Sequence, residues 1–382
     1  MKFGFNLPTK LMFGPGQIER IGKLAKDYGR KAIIVTGRTS ARKSGLLARV
    51  EGLLSEAGVE FVVFDKIEPN PIYPTIDEGG ELAKKEGCDL VIALGGGSAL
   101  DAGKGIAVKA VNEGSVWKYV LSGDPDDTIP KKALPIIAVP TTAGTGSEAD
   151  HFAVISNPET KEKPSMAAPV IFPKVAIVDP ELMLTVPPRT TAATGLDVLC
   201  HSLEGYVSKY ANPITDLFNL EVFSLVSTYL PRAYADGKDL EAREKMAWAS
   251  TYAGISEANT GVALLHAMEH PISGYLDVAH GEGLAALLPA YVRYSYPGNP
   301  DKFDRVAKIL GSEGRGLEAC VQAFQNFLKK IDLDLTLSQL GVTEKLIPSL
   351  TKDVFKYMAF GPKANPVVPS EEDVAEIYKQ SL

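Results

Sequence analysis

The sequence predicts an α/β domain followed by an all-helical domain. Three observations predict it. Short continuous apolar runs alternate with helix-like segments through the first half of the chain, and glycine- and hydroxyl-rich loops follow two of those runs. The strand pattern then stops, and the rest is rich in Ala, Leu, Glu and Lys. A helix-like pattern from Gln17 to Tyr28 precedes the first run, Ala32-Ile33-Ile34-Val35-Thr36. A helix from about Ser44 to Glu56 leads to the run Glu60–Phe64, and another from about Thr75 to Glu86 leads to Asp89–Leu94. A helix to about Val111, the run Pro135–Val139 and a last run, Val175–Val178, complete the half. Unbroken apolar strands with helices between them mark a parallel sheet covered on both faces. Pro180, Pro187 and Pro188 then punctuate the chain. The boundary is expected near residues 180–188, with residues 1–184 as the α/β domain and 185–382 as the helical one.

A mass of 40.9 kDa suits two domains rather than one core. The hydrophobic fraction of 45% and mean hydropathy of +0.01 are ordinary for a globular protein. No apolar run reaches about eighteen residues, so no membrane span is expected. The segment Met1–Pro8 has no apolar core of the export-signal kind, so none is expected there. The net charge of −7, without a basic run, argues against nucleic-acid binding. Cys88, Cys200 and Cys320 are few, odd in number and far apart, which points to a reducing cytoplasm rather than a disulfide framework.

Gly95-Gly96-Gly97-Ser98-Ala99-Leu100-Asp101 lies between a strand and a helix. Glycines there allow backbone to approach an anion, and the N–H groups at the helix start favour a phosphate. The dinucleotide fingerprint G-x-G-x-x-G fails because position 100 is Leu. A cap by Ser98, with Asp101 as the capping-box acid, is expected beside phosphate binding. The second loop, Pro140-Thr141-Thr142-Ala143-Gly144-Thr145-Gly146-Ser147-Glu148, also follows a strand and is expected to border the same crevice. The first strand ends in Gly37-Arg38-Thr39-Ser40. In nicotinamide-binding folds an acid near such a strand end accepts the ribose 2′-OH of NAD, whereas donors without the acid suit a 2′-phosphate. This pattern favours NADP(H) over NAD(H).

Four of the five histidines fall on or beside a regular spacing: Asp197-x3-His201, His266-x3-His270, then His280. On a helix, residues four apart share a face. A carboxylate and several imidazoles aimed at one point describe a divalent transition-metal site. By spacing alone His270 belongs to the set. Cys200 adjoins His201, but on a helix it points about 100° away, which favours a buried packing role over ligation.

Together these residues resemble the iron-containing (group III) alcohol dehydrogenase family. The resemblance covers essentially the whole chain. It rests on Gly95-Gly96-Gly97-Ser98-x2-Asp101-x2-Lys104, on Pro140–Glu148, on Thr191-Ala192-Ala193-Thr194-Gly195-Leu196-Asp197-x3-His201-x2-Glu204-x-Tyr206, and on His266-Ala267-Met268-x-His270-Pro271 with His280-Gly281. It implies an α/β dinucleotide-binding domain and an all-helical domain of the dehydroquinate synthase-like type. It implies that Asp197, His201, His266 and His280 are the metal ligands, and that His270 is a non-ligand near nicotinamide and substrate. It implies cofactor contacts from Gly37, Arg38, Thr39, Ser40, Asn70, Gly96, Gly97, Ser98, Asp101, Thr141, Thr142, Thr145, Val154, Lys163 and Leu184. Asp150-His151 departs from the family pattern, and His151 either borders the substrate or is exposed. The stretch Ala359–Pro366 also differs before its Asn-Pro turn.

The expected reaction is hydride transfer between NADP(H), or NAD(H), and a small alcohol or aldehyde, with the metal polarising the substrate oxygen. Fe²⁺ is expected, with Zn²⁺ or another divalent ion also suited to the ligands. His270 is expected to relay a proton. A homo-oligomer, dimer or larger, is expected. A dehydroquinate synthase-type lyase would need basic residues for a phosphorylated acid, and neither Asp197–His201 nor His266–His280 contains Lys or Arg. A zinc polyol dehydrogenase tends to use fewer histidine ligands, and retention of the whole set argues against a silent scaffold.

Overall fold

The computed structural model describes residues 2–120 and 129–382. It divides into two compact units, one spanning Leu7–Val186 and one formed by Met1–Asn6 with Pro187–Leu382.

Among the described residues the first unit has eight strands: β1 (Lys10–Phe13), β2 (Lys31–Gly37), β3 (Glu60–Ile67), β4 (Leu90–Gly95), β5 (Ile136–Pro140), β6 (Phe152–Val154), β7 (Ser165–Ala167) and β8 (Val175–Val178). Six of them form one sheet in the order β1-β8-β5-β4-β2-β3, every pairing parallel. The helices are α1 (Ile21–Lys26), α2 (Ser40–Lys43), α3 (Leu46–Ala57), α4 (Tyr73–Glu86) and α5 (Gly97–Lys109).

Alternate residues of the central strands feed two cores. Ile33, Val35 and Val91 pack with Ile76 and Ala83 of α4 and Ala102 and Ile106 of α5. Ala32, Ile34, Leu90, Ile92 and Leu94 pack with Leu24 of α1 and Leu47, Val50 and Leu54 of α3. Both faces are therefore dry, as the unbroken apolar runs require. Neighbouring strands β2 and β4 send their following helices, α3 and α5, to opposite faces. Their carboxyl ends accordingly flank the crevice in which ligands of open parallel sheets bind.

The sequence places a helix at Gln17–Tyr28. The structure has a 3₁₀ turn at Gln17–Arg20 and then α1, because Gly16 sets the start in the left-handed region (φ +74°). Strands β1, β6 and β7 were not expected. At three or four residues each they are too short to show a period.

The second unit is helical: α6 (Pro188–Val207), α7 (Pro213–Ala235), α8 (Leu240–Thr260), α9 (Leu264–Leu276), α10 (His280–Ser295), α11 (Pro300–Ile309), α12 (Leu317–Lys330), α13 (Ile347–Tyr357), α14 (Phe360–Ala364) and α15 (Glu371–Gln380). Helix α6 is the centre, buried from Leu196 through Val207 and packed by α7, α8 and α10. A helix buried all round needs neighbours on every side, and its polar residues must find partners among them. Among the described residues no helix is long and apolar enough to cross a membrane.

One buried network ties α5 to the segment after β5. Lys104, 1% exposed, donates to Ser147 Oγ (2.8 Å), Asp150 Oδ1 (2.7 Å) and the Phe152 carbonyl (2.6 Å). Ser147 Oγ donates in turn to Asp101 Oδ1 (2.7 Å), and the Val154 N–H to Asp101 Oδ2 (3.0 Å). Burial pushes the Asp101 carboxyl up to about 6 against the pull of Lys104. Replacing Lys104 with Met leaves the Asp150 charge buried and uncompensated. Removing one partner of such a pair costs about 3–5 kcal/mol, so the urea midpoint of the variant should fall sharply. An unchanged midpoint would show that the network carries no stability.

Candidate functional site

Helix α6 aligns Asp197, His201 and Glu204 on one stripe by spacings of four and three. Helix α9 brings His266, and His280 opens α10. The nearest nitrogens to Asp197 Oδ1 are His201 Nδ1 at 3.3 Å, His266 Nε2 at 3.3 Å and His280 Nε2 at 3.6 Å. A metal–nitrogen bond of about 2.1 Å sets neighbouring ligands of a tetrahedral ion roughly 3.4 Å apart. Asp197, His201 and His266 thus already stand at mutual ligand spacing, while His280, though its Nε2 faces the same oxygen, groups with Glu269 and His270. His201 Nδ1 is buried without a hydrogen bond, and the His201 and His266 rings stack at 4.2 Å. A divalent ion fits this donor set.

The electrostatics agree. Burial alone would raise the Asp197 carboxyl, but the three imidazoles outweigh it and hold it far below the usual range. Burial pushes His201 down to about 3, so it is a neutral donor. Burial also disfavours charge on His266, but Glu204 and Asp197 prevail and raise it to about 10. In the metal-free protein Asp197 and His266 are therefore held as an ion pair beside a neutral His201.

Three glutamates, none assigned a role by sequence reasoning, stand behind the three histidines. Glu204 on α6 bonds His266 Nδ1, and Glu269 on α9 bonds His280 Nδ1. Glu257 on α8 has Oε2 3.4 Å from His201 Nε2. A carboxylate on the far nitrogen fixes the ring and its tautomer, leaving Nε2 of His266 and His280 to point at Asp197. Glu204 does more. Its Oε1 accepts the Leu265 N–H (2.6 Å) and the His266 N–H (3.3 Å), capping the start of α9 in place of a local cap. The signal available in the sequence was an acid placed three residues after His201 in an otherwise apolar helix, and another just before His270.

His270 is buried on α9 and meets His280 edge-on at 5.5 Å. It groups with Glu269 and His280 rather than with Asp197, His201 and His266. Cys200 is buried, its thiol pushed well up by burial, and it joins neither metal-capable group among the described residues.

In the α/β unit, the glycine loop and the threonine loop lie together at the carboxyl ends of β4 and β5. Gly95 takes φ +154°, and a Cβ on Gly97 would sit 2.4 Å from Thr145 Cγ2, so glycine lets the two loops touch. The expected cap is corrected: Gly96, not Ser98, caps α5, and no side chain caps it. Asp101 is drawn into the Lys104 network instead, so a cofactor contact would have to share its oxygens. Thr141, Thr142 and Ser98 are partly exposed along these loops.

Arg38, Thr39 and Ser40 are exposed after Gly37, and Arg38 Nε donates to the Lys66 carbonyl (3.2 Å). Asn70 sits in a left-handed turn (φ 52°), Val154 is partly exposed, Lys163 is buried, and Leu184 closes a 3₁₀ turn after β8. His151 is not exposed. Its ring is partly buried against Phe152 and Phe172, at 4.3 and 4.7 Å, with Nδ1 buried and unbonded.

A family model for iron-containing alcohol dehydrogenase matches residues 8–180, and the model of the family's C-terminal domain matches residues 191–382. Choline dehydrogenase of Bacillus subtilis (strain 168) is 39% identical over 98% of this chain and 94% of its own length. The NAD-dependent methanol dehydrogenase of Bacillus methanolicus is 34% identical over 99% of each. The crystal structure of an archaeal halo-thermophilic alcohol dehydrogenase from a Red Sea brine pool superposes with a TM-score of 0.96 at 44% identity, covering 100% of this chain and 99% of that one. The chain belongs to the iron-containing alcohol dehydrogenase family.

Proposed function

We propose that this protein is an NADP(H)-preferring, metal-dependent dehydrogenase that interconverts a small alcohol and its aldehyde. The observation that carries the reading is the convergence of three imidazole nitrogens on one oxygen of Asp197 at 3.3–3.6 Å. Asp197, His201, His266 and His280 are the ligands in this reading, for Fe²⁺ in the first instance, with Zn²⁺ also suited. When bound, the ion supplies Lewis acidity to the substrate oxygen and the nicotinamide accepts or donates the hydride.

The chain's own residues do the rest. Glu204 and Glu269 hold His266 and His280 in register. The loops at Gly96–Ser98 and Thr141–Thr145 hold the pyrophosphate by backbone N–H and hydroxyl donors. Asn70, Asp101, Val154, Lys163 and Leu184 complete the nucleotide contacts in this reading. The His270 imidazole carries a proton between the substrate oxygen and water, a task that suits histidine because either ring nitrogen can hold the proton. Three buried thiols suit a reducing cytoplasm, and a homo-oligomer is part of the same reading.

The NADP(H) preference rests on Gly37. A Cβ there would meet only the Ile67 carbonyl, at ordinary contact distance of 3.7 Å, so backbone packing does not require glycine at this position. Arg38, Thr39 and Ser40 then offer donors to a 2′-phosphate.

Four outcomes are expected. Asp197→Ala, purified anaerobically, should lose its iron by elemental analysis. His270→Ala should keep its iron and lose about 10²–10⁴-fold in turnover; loss of metal from His270→Ala would refute the relay. Glu204→Gln should weaken metal affinity about 10–100-fold in a chelator competition, and unchanged affinity would make Glu204 a bystander. With metal-loaded protein, kcat/KM should favour NADPH over NADH, and Gly37→Asp should reverse the order. A clear NADH preference in the wild type would contradict the Gly37 argument.

A further inference from the structure

Resting on that reading, we infer that Gly283 is a positioning residue of the metal site: its missing side chain gives Glu269 the space from which it fixes His280.

His280 is the ligand that packing holds least. Its side chain is 23% exposed, against 6% for His201 and 2% for His266. It is also the first residue of α10, just beyond a short link, residues 277–279, which begins with Asp277 in the left-handed region (φ 53°). Neither a helix interior nor a dense core therefore sets its ring. Glu269 does so, through Oε2 on His280 Nδ1. That leaves Nε2 facing Asp197 Oδ1 at 3.6 Å, and a carboxylate in this place settles both tautomer and orientation.

The carboxylate has supports of its own. The Ser273 hydroxyl bonds Glu269 Oε1, and Ser273 Oγ lies 3.1 Å from the Val278 carbonyl inside the link. One acid thus joins the end of α9, the link and the start of α10. The space for it comes from α10. A Cβ on Gly283 would lie 2.8 Å from both Glu269 Cγ and Oε1, and 3.2 Å from Cδ. Carbon atoms in contact ordinarily stay about 3.5–4.0 Å apart. The Glu269 side chain is fully buried, so it cannot swing into water to make room. A retreat from a side chain at position 283 would draw its carboxylate off Ser273 and His280.

The first turn of α10 is itself fixed. Gly281 packs on the backbone of α6, where a Cβ would lie 2.1 Å from the Ala193 carbonyl oxygen. Glu282 accepts from Arg189 Nε at 2.6 Å. Glycine inside a helix is otherwise unfavourable, because it gives up the most backbone freedom on folding. Gly283 lies within α10, so space rather than conformation is the reason for glycine there.

The experiment is a double-mutant cycle on the full-length protein, read as Zn²⁺ affinity by competition with a chelator. Gly283→Ala should weaken Zn²⁺ binding about 10–100-fold, and so should Glu269→Ala. The double variant should bind no more weakly than Glu269→Ala alone, because the added methyl then has no carboxylate to displace. Unchanged affinity in Gly283→Ala or in Glu269→Ala overturns the inference. So does a Gly283→Ala loss that adds in full to that of Glu269→Ala, which would mark a general disturbance of the helix. His280→Ala tests the ligand assignment separately and should also lose affinity. A loss in His280→Ala with none in Gly283→Ala overturns this inference and leaves the ligand set standing. Unchanged affinity in His280→Ala removes His280 from the set and overturns both readings.

Discussion

A buried carboxylate sets the terms for the helical unit. Asp197 lies on a helix buried on all sides, where a lone charge would not be tolerated. It persists because three imidazoles face one of its oxygens. Each imidazole needs its own orientation fixed from behind, and three glutamates from α6, α8 and α9 stand there. The start of α9 is anchored by the same carboxylate that orients His266. Folding of the helical unit and construction of the site are therefore one problem: the helices cannot pack without bringing these groups together, and the groups cannot be buried unless they meet.

The α/β unit solves a similar problem with a different cation. Lys104 is buried among Ser147, Asp150 and the Phe152 carbonyl, and Asp101 is tied in through Ser147. This network joins the helix that begins at the glycine loop to the segment that follows the threonine loop. The close fit of Gly97 to Thr145 holds the two loops against one another. Two flexible-looking polar loops thereby become a fixed array of donors at the carboxyl ends of β4 and β5. Placing donors before the ligand arrives lowers the ordering cost of binding.

How legible this was follows from the physics of each signal. The runs Ala32–Thr36, Asp89–Leu94 and Pro135–Val139 announced themselves because strands buried on both faces must be apolar throughout. Strands β6 and β7, three residues each, could not. Asp197 and His201 were legible because one helix carries both. The union of His266 with His280, and the separation of His270 from Asp197, depend on how α9 and α10 cross α6, which no local spacing encodes. The glutamates were harder still. Glu204 and Glu269 look like ordinary helix residues until burial shows that each needs a partner. Ser98 misled because a hydroxyl after glycines has the pattern of a cap, while the chain enters α5 at Gly96 without one and spends Asp101 elsewhere.

The most direct test of the central claim is X-ray absorption at the iron edge on anaerobically loaded protein. The account predicts a shell of nitrogen and oxygen scatterers about 2.1 Å from the ion, with the multiple-scattering pattern of three imidazoles and one carboxylate. A sulfur scatterer at about 2.3 Å would bring Cys200 into the site, and fewer than three imidazoles would break the Asp197, His201, His266 and His280 set. Either result would contradict it.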